Sequence, residues 1–258
     1  TERSLGGQRR THGADLLDGV DSATMRPLPV TINLGDDLGR ADTGDVHYVR
    51  DQLPGVERQI RYGLPVTSPV RTALDCARWA ANPVEAVVVL DQITRALDLP
   101  LGDLVAAAAA SHRAGTPQVR RALPFVEPAS ASPWESRLRM FYIGRAGLPR
   151  PSVNTPIFDL DEQLLGIADL FDPEAGLVAE FDGQEHRLRR RHRADNLREE
   201  KLEAANLVVC RVDSLDLRYP VPLAERLRER HAQGLGRDRR RDRWTLVEPV
   251  WWQRRRAS

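Results

Sequence analysis

The hydrophobic and polar positions follow two different patterns along the chain. Between residues 65 and 123 the apolar positions recur at helical spacing, whereas from residue 133 short apolar runs typical of strands precede a long polar helix. The segment 124–132 separates the two patterns, and its Pro, Ser and Ala residues are typical of a linker. The sequence therefore predicts at least two folded regions.

The front half predicts a small β segment followed by a helical region. Residues 1–64 are poorly patterned, but PLPVTINL and GDVHYVRDQL within them are typical of short strands. Residues 65–123 predict three helices. Ser68 and Asn82 each precede a proline, as caps do at helix starts, and the third helix, LGDLVAAAAASHR, ends near Gly115. These residues indicate packing rather than catalysis.

The back half predicts a mixed α/β domain over residues 133–233, a usual size for one domain. Its expected order is a helix at 133–146, strands NTPIFDL, LLGIADLF and GLVAEFD, a helix at 187–205, the strand NLVVCRV and a helix at 223–231. Residues 234–258 form an Arg-rich tail. The predicted fold class is α/β, with a mixed sheet flanked by helices behind the small β segment and the helical domain.

Composition narrows the functional classes. Hydrophobic residues make up 41% of the chain and charged residues 29%, which favours a soluble globular protein. The longest apolar run, Leu104–Ala110, is too short to span a bilayer, and no signal-peptide pattern opens the sequence. Cys76 and Cys210 lack zinc-site spacing and are interpreted as buried thiols in a reducing cytoplasm. A cytoplasmic protein without a membrane partner is expected.

Basic residues are unevenly distributed, although the net charge is only +1. Lys201 is the only lysine among the 38 Lys and Arg residues, and arginine suits bidentate phosphate contacts. Segments 187–198 and 237–256 are basic, whereas 36–51 is acidic. This distribution indicates a nucleic-acid-binding face, and DNA is the expected partner. A solvated surface is the alternative interpretation of the run 187–193.

Acidic residues stand near the ends of the second and third predicted strands. Asp169 lies in GIADLF, and Glu180 and Asp182 end GLVAEFD. The connection DPEAG favours a hairpin, which would bring Asp169 opposite Glu180. Converging carboxylates repel, and Mg²⁺ or Mn²⁺ is the expected compensation, with Asp169 and Glu180 as metal ligands. Arginine is the rival counterion, and Arg211 on the next strand is its first candidate.

This arrangement resembles the PD-(D/E)XK nuclease fold, in particular the group related to very-short-patch-repair endonucleases. The resemblance covers about residues 132–218 and rests on SPWESRLR, GLPRPSVN, GIADLFDPEAGLVAEFDGQEH, RADNLREEKL and NLVVCRV. It implies a restriction-endonuclease-like domain that cleaves DNA with a divalent metal. The catalytic residues that it implies are Glu135, Asp169, Glu180, Asp182 and His186. The candidate DNA-binding residues are Arg187, Arg189, Arg190, Arg191, Arg193 and Arg198.

One position departs from the family pattern. The generic motif carries lysine two places after the glutamate, where this chain has Asp182, so His186 is the candidate for proton handling. Structural alternatives stay open for these residues. Ser132 and Glu135 fit a capping box in which Glu135 bonds back to the Ser132 amide, and Asp182 begins a common turn pair.

The front half resembles another family. GLPVTSPVRTALDCARWA is similar to a segment of AbiEi-type antitoxin regulators, which implies a DNA-binding regulator with a possible toxin partner encoded beside it. Those proteins usually begin with a winged helix, and residues 1–30 show no clear helix-turn-helix. The alternative to a nuclease is therefore a non-catalytic regulator or antitoxin. The sequence does not indicate an oligomeric state.

Overall fold

The structure is a computed structural model that describes residues 20–21, 26–35, 40–182 and 189–257. Side chains are described for 26–35, 40–182 and 197–255. The chain forms two compact units, Thr1–Pro128 and Ala129–Ser258. The division falls within the segment 124–132 that is interpreted as a linker. None of the described helices combines the length and apolar character needed to cross a membrane.

The described part of the first unit contains short strand pairs followed by α-helices. Its strand pairs are β1 (Val20–Asp21) with β2 (Arg26–Pro27), β3 (Val30–Asn33) with β4 (Val46–Val49), and β5 (Arg58–Arg61) with β6 (Leu64–Thr67). Its helices are α1 (Pro69–Trp79), α2 (Pro83–Leu97), α3 (Leu101–Ala110) and α4 (Thr116–Ala122). The pair β5–β6 and helix α4 are additions to the elements that the sequence predicts.

The caps of the first unit form at the predicted positions. The Ser68 hydroxyl accepts the amide of Arg71, and Asn82 Oδ1 accepts the amide of Glu85. Each cap satisfies a backbone amide that has no partner within its helix. The helices then bury small and branched apolar residues against one another, including Ala73, Ala77, Leu90 and Leu104.

A buried ionic network joins α1 to the segment before it. Arg71, only 1% exposed, contacts the carboxylates of Asp51, Glu57 and Asp75. Arg78 also pairs with Asp51 and Asp75, and Arg113 pairs with Glu57. Removing one member of such a network leaves a buried charge without its partner, so these residues are interpreted as structural.

The second unit is built on a five-stranded mixed sheet in the order β10–β9–β8–β7–β11. The strands are β7 (Ser152–Asp159), β8 (Leu164–Asp172), β9 (Leu177–Phe181), β10 (Val208–Val212) and β11 (Trp244–Thr245). Strands β9 and β10 are parallel, and the other neighbours are antiparallel. The predicted hairpin forms β8 and β9, and Gly176 takes a positive φ of 59° in its turn.

Helices cover both faces of this sheet. They are α5 (Pro133–Gly144), α6 (Arg189–Ala204), α7 (Pro220–Leu235) and α8 (Val250–Ala257). Leu138 of α5 and Leu227 of α7 pack in one apolar core with Leu170 and Ala179, whereas Leu202 of α6 packs in another with Val178. The α/β class with a mixed sheet and flanking helices is confirmed.

The segment behind α7 packs onto the sheet. Trp244 and Thr245 form the edge strand β11 beside β7. Trp251 and Trp252 of α8 make edge-on contacts with Phe158, with ring centroids 6.0 and 5.6 Å apart. The aromatic residues of the Arg-rich tail therefore complete the apolar surface of β7.

Candidate active site

Asp169 and Glu180 face each other across the β8–β9 hairpin. The paired part of the hairpin ends with Leu170 opposite Ala179, and Asp169 and Glu180 are the next residues on the two strands. The Phe181 amide donates to Asp169 Oδ2 at 2.8 Å. Since side chains alternate along a strand, Glu180 shares the face of Val178, which α6 covers. The hairpin thus brings together the two acids that the sequence names as metal ligands.

Glu135 supplies a third carboxylate from the first turn of α5. Its amide donates to the hydroxyl of Ser132, and its Oε2 accepts the amide of Ala131 and Nδ2 of Asn154, both at 2.8 Å. The predicted cap at Ser132 forms, but the carboxylate bonds to the Ala131 amide instead of the Ser132 amide. Asn154, at a φ of 46°, fixes Glu135 from β7. Asn154 carries no sequence signal for this role beyond the tolerance of asparagine for a positive φ.

Glu135 and Glu180 act electrostatically on Asp169. Burial is the main cause that raises the pKa of Asp169 to about 7, and the charges of Glu135 and Glu180 act in the same direction. The Phe181 amide and Arg198 oppose the rise. Like charges at close range disfavour joint ionisation, which explains the effect of the neighbouring acids. Near neutral pH, both the protonated and the ionised form of Asp169 are therefore populated.

Arg198 of α6 is the counterion of Glu180. Its Nη2 lies 2.6 Å from Glu180 Oε1, and the same guanidinium donates to the carbonyl of Ile167. A Cβ at Gly166 would collide with this guanidinium, so the glycine makes room for it. Burial raises the pKa of Glu180, while the positive charges of Arg198 and Arg211 oppose the rise.

This ion pair corrects one expectation and bears on another. Glu180 pairs with Arg198, whereas Arg211, the first candidate counterion, pairs with Glu199 at 3.0 Å, and its positive charge also acts on Glu180. Arg198, a candidate for DNA binding, contacts Glu180 and Ile167, and its contact with DNA stays a prediction. The reason is geometric, because α6 packs over β8 and brings position 198 above Gly166.

The structure describes only some of the other predicted site residues. Asp182 is exposed, and its amide donates to the Val212 carbonyl at 2.8 Å. His186 and Arg187 lie outside the described residues. The candidate arginines 189, 190, 191 and 193 belong to α6, but their side chains also lie outside the described part of the chain. Lys201 is exposed and lines a separate pocket near the end of α6, so it does not substitute for the motif lysine.

Asp169 and Glu180 are the two acids whose carboxylates are considered as ligands for a divalent cation. Among the described residues, no group of three or more His, Cys, Asp or Glu side chains has the arrangement of a metal site. Mg²⁺ prefers one or two carboxylates together with water and phosphate oxygens. Glu180 Oε1 is buried, and its ion pair with Arg198 lacks hydrogen-bond geometry. Asp169 and Glu180 supply two carboxylates of the kind that Mg²⁺ prefers, and Arg198 already pairs with one of them.

An aromatic surface borders the acids. The rings of Trp134 and Phe181 stack with centroids 5.1 Å apart, and the Arg137 guanidinium lies 4.7 Å from the Trp134 ring centre. Trp134 precedes Glu135, and Phe181 follows Glu180, so the backbone that positions the two acids also positions the stack. Sequence reasoning missed this stack because its members stand far apart in the chain, at positions 134 and 181.

Comparison with known proteins gives no relative for this chain. No family model matches the sequence, and neither a curated protein nor a solved structure is significantly similar to it.

Proposed function

We propose that the protein is a metal-dependent DNA endonuclease of the very-short-patch-repair-like PD-(D/E)XK type. The observation that carries the proposal is the pair of half-buried carboxylates, Asp169 and Glu180, which lie on adjacent strands directly beyond the paired residues Leu170 and Ala179. Structural ion pairs usually match each acid with a base. Here Arg198 neutralises Glu180, while Asp169 takes a backbone amide as its hydrogen-bond partner.

In this proposal Asp169 and Glu180 hold Mg²⁺ or Mn²⁺. When bound, the ion supplies charge stabilisation to a phosphodiester transition state and lowers the pKa of an attacking water. Asp169, whose pKa is about 7 without metal, would hold the ion as the ionised carboxylate, because a nearby positive charge favours the charged form. Glu135 adds negative charge from α5, and its bonds to Ala131 and Asn154 hold it in place.

The remaining residues take supporting roles. Asp182 extends the acidic cluster at the exposed end of β9, and His186 handles the proton of the water or the leaving group. The positive charge of Arg198 opposes the rise that burial causes in the pKa of Glu180 and so favours its carboxylate form. The basic segment 187–198 contacts DNA phosphates. Its candidate residues are Arg187, Arg189, Arg190, Arg191, Arg193 and Arg198.

A second candidate function is a non-catalytic DNA-binding regulator or antitoxin that acts with a toxin partner. The observation that favours it is the Glu180–Arg198 ion pair, because an arginine that already neutralises the acid lowers the need for a metal. In this alternative the sheet and α6 serve only as a DNA-binding surface.

Nicking of supercoiled plasmid separates the two functions. The nuclease relaxes the plasmid with Mg²⁺ or Mn²⁺, stops doing so in EDTA, and is inactive again in Glu180→Gln. The matched control is Glu199→Gln, which changes an acid on the same side of the sheet that pairs with Arg211. Plasmid binding without metal-dependent nicking supports the regulator.

A further inference from the structure

A pocket of the Ala129–Ser258 unit lies away from the acids Asp169 and Glu180. It has a volume of about 680 Å³, within the range of small-molecule sites. The turn between β7 and β8, the end of α6 and the C-terminal segment surround it. Its chemically distinctive lining residues are Asp159, Gln163, Lys201, Arg243, Trp251 and Arg255.

The polar lining of this pocket suits an anion. Lys201 and Arg243 are exposed, and neither forms an ion pair or a side-chain hydrogen bond with any residue that the structure describes. Asp159 is the acid among the lining residues, and its Oδ1 accepts the amides of Asp161 and Gln163 within the turn. The carboxylate is thus engaged locally, while the two cations remain available for a ligand.

Trp251 gives the pocket a rigid aromatic wall. Its indole Nε1 donates to the Glu162 carbonyl at 3.1 Å, and its ring meets Phe158 and Trp252 edge-on. Nevertheless 42% of the residue stays exposed. A fixed, partly exposed indole beside cations is suited to a planar base that carries phosphate, because bases stack on aromatic rings while cations hold the anion.

We propose that this pocket binds a nucleoside phosphate, with the base against Trp251 and the phosphate between Lys201 and Arg243. Two sources share this chemistry: an unpaired nucleotide of a DNA strand, or a free mononucleotide. Leu164 and Leu165, which line the pocket, lie on the same strand as Asp169, β8. At the rise of an extended strand, the distance from these two residues to Asp169 is about 13 to 17 Å. A strand of nucleic acid can therefore reach both places. Binding at the pocket does not require cleavage at the acids.

Fluorescence anisotropy with a labelled oligothymidylate tests the proposal, with the full chain in EDTA so that no metal-dependent step contributes. Unlabelled dTMP serves as the competitor. The variants are Trp251→Leu, Trp251→Phe and the double variant Lys201→Ala/Arg243→Ala. The matched control is Arg240→Ala, because the Arg240 side chain is 91% exposed and pairs with Asp238 outside the pocket.

The wild type and Arg240→Ala should bind equally well, and Trp251→Leu should bind at least about five-fold more weakly, as expected when one base no longer stacks on an aromatic ring. Trp251→Phe should recover most of the affinity. The double variant should reduce the salt slope by about 0.7 for each phosphate that is no longer neutralised. If dTMP competes with the oligothymidylate, a free nucleotide is a ligand of the pocket. If dTMP does not compete, the ligand is a nucleotide within a strand. Either result supports the site.

Equal binding by the wild type, Trp251→Leu and the double variant overturns the proposal. An equal loss of oligothymidylate affinity in Arg240→Ala overturns the proposal as well, because the loss would then follow from removing any positive surface charge. The double variant changes only exposed side chains, so it keeps the test valid if Trp251→Leu fails to fold. Glu180→Gln should lose plasmid nicking but bind oligothymidylate as the wild type does. This result would show that the pocket and the proposed nuclease site are independent.

Discussion

The guanidinium of Arg198 lies 2.6 Å from the carboxylate of Glu180, beneath the helix that carries the basic run. This ion pair identifies the counterion of an acid that the sequence leaves unbalanced. It also sets a condition on metal binding, because a cation at Glu180 must share the carboxylate with Arg198 or displace it. Asp169, which faces Glu180, takes the Phe181 amide as its partner rather than a cation.

Arg198→Ala should destabilise the protein. It leaves the Glu180 carboxylate, 13% exposed, without its ion pair. Removing one partner of a fully buried pair costs about 3 to 5 kcal/mol, and the 32% exposure of Arg198 reduces the expected cost to about 1 to 3 kcal/mol. Urea denaturation near neutral pH measures the change in the free energy of unfolding.

The double variant Glu180→Gln/Arg198→Ala should recover part of this stability, because no buried charge remains. Arg211→Ala is the matched control. Its partner Glu199 is more exposed, so we expect a destabilisation below about 1 kcal/mol. Equal destabilisation by Arg198→Ala and Arg211→Ala would contradict a special role for the Glu180–Arg198 pair.

Asp169→Asn should stabilise the metal-free protein, and more so as the pH rises. Asp169 has a folded pKa of about 7, above the unfolded value of about 3.9. Below about pH 4 both states are protonated, so Asp169 contributes nothing. Between the two pKa values the unfolded state gives up its proton first, and stability falls by at most about 1.4 kcal/mol per pH unit. Asparagine removes this penalty while it can still accept the Phe181 amide.

Denaturation curves of the wild type and Asp169→Asn across this pH window measure the difference. Asp238→Asn is the control, because hydrogen bonds from Arg240 lower the pKa of Asp238 and the sign is reversed. A constant difference between the wild type and Asp169→Asn from acid to neutral pH would show that burial does not strain this carboxylate.

The arginines at the start of α6 should determine the salt dependence of DNA binding. Replacing Arg189, Arg190 and Arg191 with Ala should flatten the plot of log affinity against log salt by about 0.9 for each phosphate that is no longer neutralised. The control replaces three exposed arginines from other elements, Arg121, Arg230 and Arg240. An unchanged slope in the first variant, measured by anisotropy with duplex DNA, would reduce these arginines to surface residues that aid solubility.

The elements of the second unit could be predicted because their signals are local. The runs LLGIADLF and GLVAEFD, joined by DPEAG, specify the β8–β9 hairpin, and the hairpin alone brings Asp169 opposite Glu180. Ser132 likewise caps α5 as its local pattern predicts.

Interactions that depend on packing between distant segments could not be predicted in the same way. The pairing of Arg198 with Glu180 depends on how α6 lies over Gly166, whereas strand order alone favoured Arg211 as the partner. The contact of Trp251 with Phe158 similarly depends on how the C-terminal segment packs against β7, where β11 pairs with Phe158 and Asp159. Neither interaction has a fixed sequence spacing that would reveal it.

Thermal unfolding with and without Mg²⁺ measures whether Asp169 and Glu180 bind a divalent cation. The wild type, Asp169→Asn, Glu180→Gln and the control Glu199→Gln are compared at matched ionic strength. Mg²⁺ should raise the Tm of the wild type and the control. At a Mg²⁺ concentration of about a hundred times the Kd, the free energy of unfolding should increase by about 2.7 kcal/mol. The rise should vanish in Asp169→Asn and Glu180→Gln. Absence of a rise in the wild type, or an equal rise in all four proteins, would contradict the metal site and leave the regulator.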